Sequence, residues 1–194
     1  DLRFPGKGYN DAGFEDKLLV SRRDPEGKYN TWQVWPPLDN DCQDTEKVRI
    51  QSFDVAPDGK SLFVSMSREE IDNPNRKLGI YRLDIASQTI TKLSKDNSVD
   101  FMYPTYIGND ASGGHETLLV AKTVQDDEIP INYTAKSTLA DEYDRAPTPL
   151  IHKMDAATGD VVRIGFNNSH QTEPLAMDGP DGKPISIIQG MNWF

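Results

Sequence analysis

The chain is 194 residues long and carries 31 acidic against 21 basic side chains, a net charge of −10 with histidines neutral. That is one domain's worth or part of one, and at this size roughly 70% of the unfolded surface can be buried without help from disulfides or metals. The balance excludes nucleic-acid phosphate as a partner, because no run of Lys and Arg could release condensed counterions. No stretch reaches the ~20 apolar residues of a membrane helix, so no membrane insertion is expected.

Leu, Ile, Val and Phe make up 43 of the 194 residues, just above the level at which charged chains stay disordered, so a thin core is expected. Cys42 is the single cysteine. It can form no internal disulfide, no Cys-x-x-Cys redox pair and no Cys-x-x-Cys-His haem attachment motif. Acids at positions 39, 41 and 44 surround it and disfavour a nucleophilic thiolate.

In chain order, residues 17–21 predict a strand and Tyr29-Asn30-Thr31-Trp32-Gln33-Val34-Trp35 a second. The block Phe53-Asp54-Val55-Ala56-Pro57-Asp58-Gly59-Lys60-Ser61-Leu62-Phe63-Val64-Ser65 follows, two strands around a Pro-Asp-Gly-Lys turn. It recurs at 173–188 around Pro180-Asp181-Gly182-Lys183, and in altered form at 103–121 around a glycine-rich turn. A second block, Gly79-Ile80-Tyr81-Arg82-Leu83-Asp84 with its return strand to Leu93, recurs as Leu150-Ile151-His152-Lys153-Met154-Asp155 with a return to Ile164. Their alternation at period two predicts one buried and one wetter face per strand.

Thirteen prolines and fourteen glycines are spread along the chain, and no segment holds a helical apolar stripe. One turn of helix is conceivable at 69–71.

Paired hairpins repeated along a chain predict an all-β fold of four-stranded antiparallel blades, a β-propeller. The expected divisions are a partial leading blade at 1–48, a complete blade at 49–95, and a second at 96–166 interrupted by an acidic insertion at 123–147. A trailing inner hairpin at 167–194 follows. Two full blades and two pieces fall short of the usual four to eight, so the expectation is an incomplete propeller of three to four blades within a larger assembly. Partners would then be other polypeptides or the remaining blades of a longer precursor.

The Pro-Asp-Gly inner hairpin followed by an Ile-Tyr-Arg-Leu-Asp outer hairpin resembles the TolB-type, WD40-like propeller repeat over about residues 53–188. Asp141-Glu142-Tyr143-Asp144-Arg145-Ala146-Pro147-Thr148-Pro149-Leu150 is similar to the outer hairpin of bacterial propeller proteins related to the hydrazine synthase alpha subunit. The resemblance implies a non-catalytic scaffold or binding module of an exported protein, periplasmic or extracellular. The alternative it carries is a fragment or accessory domain of a propeller-containing enzyme, of that redox type or a hydrolase or lyase. Hydrazine chemistry does not carry over, since the haem motif is absent from this chain.

Candidate sites are few. Asp126, Asp127, Glu128, Asp141, Glu142 and Asp144 gather hard oxygen ligands in the insertion, and Ca²⁺ is the cation they would suit. A solvated acidic loop is their ordinary role. Asn109 to Glu116 offers oxygens, glycines and His115, the usual content of a hairpin loop. His152 lies mid-strand, where a packing role is ordinary. Gln51, Asp100 and His170 enter the inner strands at similar repeat positions, so on fold analogy they are the candidates for a ligand site at the channel face. Trp32, Trp35, Tyr103, Tyr106 and Trp193 could stack on a sugar or peptide, although packing between blades is their ordinary use. No Gly-x-Ser-x-Gly, His-Glu-x-x-His or phosphate loop is present, and Gly6-Lys7-Gly8 lacks the third glycine of a dinucleotide site.

Overall fold

The computed structural model describes residues 16–68, 77–109, 114–123, 149–165, 170–178 and 184–192, with β12 described by its backbone. Twelve strands are present among them: β1 (Leu18–Arg23), β2 (Tyr29–Trp35), β3 (Val48–Val55), β4 (Ser61–Arg68), β5 (Gly79–Asp84) and β6 (Thr89–Lys92). There follow β7 (Phe101–Asn109), β8 (Glu116–Thr123), β9 (Pro149–Asp155), β10 (Val161–Arg163), β11 (His170–Asp178) and β12 (Pro184–Asn192). No helix occurs among the described residues. The turn of helix entertained at 69–71 lies outside them.

All pairing is antiparallel and between consecutive strands. β3 to β6 form one four-stranded sheet and β7 to β10 another, while β1–β2 and β11–β12 are two-stranded.

The turns show why the repeats fold as they do. Asp58 Oδ1 accepts the backbone N–H groups of Lys60 at 2.7 Å and Ser61 at 2.9 Å, and Gly59 takes the φ of +62° that the turn needs. Asp84 accepts from Ala86 and Ser87, and Asp155 from Ala157 and Thr158, so both outer hairpins turn on the same aspartate.

The sheets stack in chain order, with apolar layers between them. Leu18, Val34 and Trp35 of the first hairpin meet Leu62, Val64, Met66, Tyr81 and Leu83 of the second sheet. On its other face that sheet gives Phe63 and Ile80 to a layer with Phe101, Leu118, Val120 and Met154 of the third. Phe63 and Tyr106 stack across this boundary, nearly parallel at 6.4 Å. Leu119, Ala121 and Ile151 form a further layer with Leu78 and Met102.

This layering narrows the expected wetter face in the strands of the second block. β4 and β8 bury all but one residue each, whereas β5 and β9 bury one face throughout and leave Arg82, Asp84 and Asp155 half-buried and Lys153 exposed on the other. Each lies between two neighbouring sheets, which confines the wetter positions to the turn end of β5 and β9. Only the outermost β6 and β10 keep alternating exposure.

Candidate functional site

Two first strands distort their backbone at the same x-Pro dipeptide form. β7 and β11 break their ladders between Met102 and Thr105 and between Thr172 and Leu175, setting two residues opposite one. The intervening pairs are Tyr103-Pro104 and Glu173-Pro174, and Tyr103 and Glu173 take φ values of +52° and +51°. Side chains other than glycine rarely adopt that conformation, which costs about 1–3 kcal/mol per residue and clusters at binding and catalytic sites. β3 has its own bulge at Gln51.

Three first strands are tied together here. The Tyr103 N–H donates to Ser52 Oγ at 3.0 Å and to Gln51 Oε1 at 3.4 Å, and Ser52 Oγ in turn donates to Gln51 Oε1. Asp54 Oδ2 accepts the Tyr106 N–H at 2.8 Å, and Thr105 Oγ1 donates to the Pro174 carbonyl at 2.7 Å. The bulges are thus held by bonds from the adjoining strands, which offset their strain.

The resulting row presents an amide, a phenol and a carboxylate. Burial, then the nearby Glu173 carboxylate, push the half-buried Tyr103 phenol above its ordinary pKa, while a hydrogen bond with the Gln51 side chain acts the other way. Glu173 is exposed. A phenol kept protonated beside an exposed carboxylate and an amide oxygen can accept from and neutralise a cationic donor. The row holds no thiol, hydroxyl–imidazole pair or other activated nucleophile.

Of the residues singled out by sequence, Gln51 belongs to this row. Asp100 does not share it: the residue is buried, its Oδ1 accepts the Leu78 N–H at 2.9 Å and its Oδ2 meets Lys77 Nζ at 3.1 Å. It serves as a joint between consecutive sheets. His170 stands at the position in β11 that Asp100 holds ahead of β7, each three residues before the leading residue of its bulge, and its backbone pairs with Asn192. The counterpart of Leu78 there is Pro149, which has no N–H to be capped, so the need for an acid lapses.

Asp126, Asp127, Glu128, Asp141, Glu142 and Asp144 lie outside the described residues. Among the described residues no group of three or more His, Cys, Asp or Glu is placed to hold a metal ion. His115 Nδ1 lies 3.1 Å from Asp155 Oδ2 and helps hold that carboxyl near a pKa of about 2, behind the larger effect of the Thr158 N–H. His152 is buried with Nδ1 against the Leu150 carbonyl at 2.9 Å, a packing role. Cys42 is exposed on a turn. Trp35 is buried between sheets, Trp32 is partly exposed, and Trp193 lies outside the described residues.

Sequence reading placed Tyr103 among packing aromatics and passed over Glu173. Their signal was the x-Pro pair repeated at matching points, Tyr103-Pro104 and Glu173-Pro174.

Comparison with protein-family models, with curated proteins and with solved structures returns no match for this chain.

Proposed function

We propose that the chain is a segment of a β-propeller, of the TolB-like kind that its repeats resemble, and that it acts as a non-catalytic binding scaffold of an exported protein. The stacking of four antiparallel sheets in chain order, with the first strands β3, β7 and β11 drawn together, supports the propeller reading. The observation that carries the binding reading is the strained row of Gln51, Tyr103 and Glu173 across those strands. Its chemistry suits a cationic group, such as a lysine or arginine side chain of a partner polypeptide, and the net charge of −10 draws such a partner in.

The test is calorimetric titration of the chain with hexa-lysine and hexa-arginine peptides at two salt concentrations. Glu173→Gln and Tyr103→Phe should each weaken binding by about tenfold, the loss of one charge-assisted or polar contact. Equal affinity for wild type and both variants would remove the row from the binding surface.

A further inference from the structure

The two ends of the stack are complementary halves of one sheet. β11–β12 repeats a first half: its bulge at Glu173-Pro174 matches the bulge at Tyr103-Pro104 in β7–β8, with the same φ at the leading residue. β1–β2 repeats a second half. The Asp24 N–H donates to the Lys28 carbonyl and Gly27 sits at φ +89°, as the Asp155 N–H donates to the Asp160 carbonyl with Gly159 at φ +73°.

β1–β2 also sits on its neighbour as a second half does. Gln88, in the β5–β6 turn, reaches the Gln33 and Val34 carbonyls at 3.1 Å. At the matching place in the β9–β10 turn, Gly159 closes on the Leu93 carbonyl. Among the described residues β12 pairs only with β11, and β1 only with β2. Within the described residues, the β11–β12 half has no third strand and the β1–β2 half no second.

We propose that the free edge of β12 receives strand β1 of a second copy of this chain, the two halves closing into a four-stranded sheet. Among the described residues each copy holds two whole sheets and two halves, so two copies joined reciprocally make six such sheets, inside the four to eight with which radial arrangements close. The edge itself invites pairing: β12 runs nine residues, Pro184–Asn192, without a charged side chain to discourage a neighbour.

The complete sheets set the register. Leu119 pairs with Lys153 in β8–β9, Ile188 stands opposite Leu175 as Leu119 stands opposite Thr105, and Arg22 precedes Asp24 as Lys153 precedes Asp155. Ile188 therefore falls opposite Arg22, and Gln189 opposite Ser21. The inference rests on the propeller reading of the repeated hairpins and is independent of the cation-binding reading.

Two measurements test it on the full chain. Light scattering across a concentration series should show a particle of twice 21.7 kDa. In a Cys42→Ser background, Ser21→Cys with Gln189→Cys should oxidise to a disulfide-linked dimer, while Ser21→Cys with Ile187→Cys, off register, should not. A monomer at every concentration overturns the proposal. So does a disulfide formed within one copy, which would mean that the chain closes on itself. A dimer in which the Ser21–Gln189 pair fails to link places the contact elsewhere and overturns it too.

Discussion

Gln171 fills the space that a side chain on Gly165 would need. Its Oε1 accepts the buried Ile151 N–H at 3.0 Å, and a Cβ built on Gly165 would overlap that oxygen. One sheet earlier, the matching N–H of Ile80 is served by Ser94 Oγ at 3.1 Å, from the residue that corresponds to Gly165. The same donor is satisfied locally in one repeat and by the next sheet's first strand in the other. Gln171→Ala should leave the Ile151 N–H unpaired in the interior, at a cost of about 1–3 kcal/mol in urea unfolding. Gly165→Ser added to Gln171→Ala should recover most of that loss, because it restores the arrangement of Ile80. If the double variant is no more stable than the single, the exchange of caps is not what holds Ile151.

Two glycines at positive φ should respond differently to alanine. Gly159 sits at φ +73° and its Cβ would strike the Leu93 carbonyl of the preceding sheet, whereas Gly59, at φ +62°, has nothing within 4 Å. Gly59→Ala should cost the backbone strain alone, about 1 kcal/mol. Gly159→Ala should cost clearly more, since rigid backbone must move as well. Equal urea midpoints for the two variants would contradict the close approach.

Acid should loosen the turns over a defined range. The Lys60 N–H leads the groups that hold Asp58 at about 2, and the Thr158 N–H leads those that hold Asp155 at about 2, against an ordinary 3.8. A folded-state pKa below the unfolded one contributes stability that is fully present above pH 4 and is lost as pH falls towards 2. Asp58→Asn and Asp155→Asn should each flatten the fall in melting temperature between pH 4 and 2. An unchanged slope would show that these carboxylates are not the groups that titrate.

Arg82 links two sheets through geometry that lysine cannot copy. Its Nη2 meets Asp58 Oδ2 at 3.0 Å, its Nη1 meets Glu116 Oε2 in the next sheet, and its guanidinium lies over the Phe63 ring. These groups are partly exposed, so solvent screening keeps the gain modest. Arg82→Lys should lose about 1 kcal/mol through the broken fork and ring contact. A variant as stable as wild type would mean that the bridge contributes nothing measurable.

Within the bulge row, Glu173→Gln should lower the Tyr103 pKa, because the carboxylate is one of the influences that raise it. Ultraviolet titration of tyrosinate, with Tyr103→Phe to assign the transition, reads this directly. An unmoved transition would separate the two side chains.

The all-β fold was legible because its signals are local. Pro57-Asp58-Gly59-Lys60 carries its own turn chemistry, and Asp84 and Asp155 close their turns on neighbours two and three residues on. What stayed hidden depends on contacts between sheets. Asp100 looked like a free acid at a strand entrance until Leu78 and Lys77, more than twenty residues earlier, took up both its oxygens. Tyr103 read as an aromatic for packing, because nothing in a single sequence shows that its backbone takes positive φ while its N–H donates to Gln51 and Ser52.

β4 belongs to two apolar layers at once, sending Leu62, Val64 and Met66 to one side and Phe63 to the other. Its loss would therefore dissolve two interfaces, whereas the departure of a terminal hairpin costs one. The cooperative units of this protein are the boundaries between sheets, as in a solenoid whose stability is summed over neighbours. In the dissociated chain, opening should begin at the two half-sheets and reach the amides of β4 and β8 last, so that slow hydrogen exchange at high dilution maps the middle of the stack.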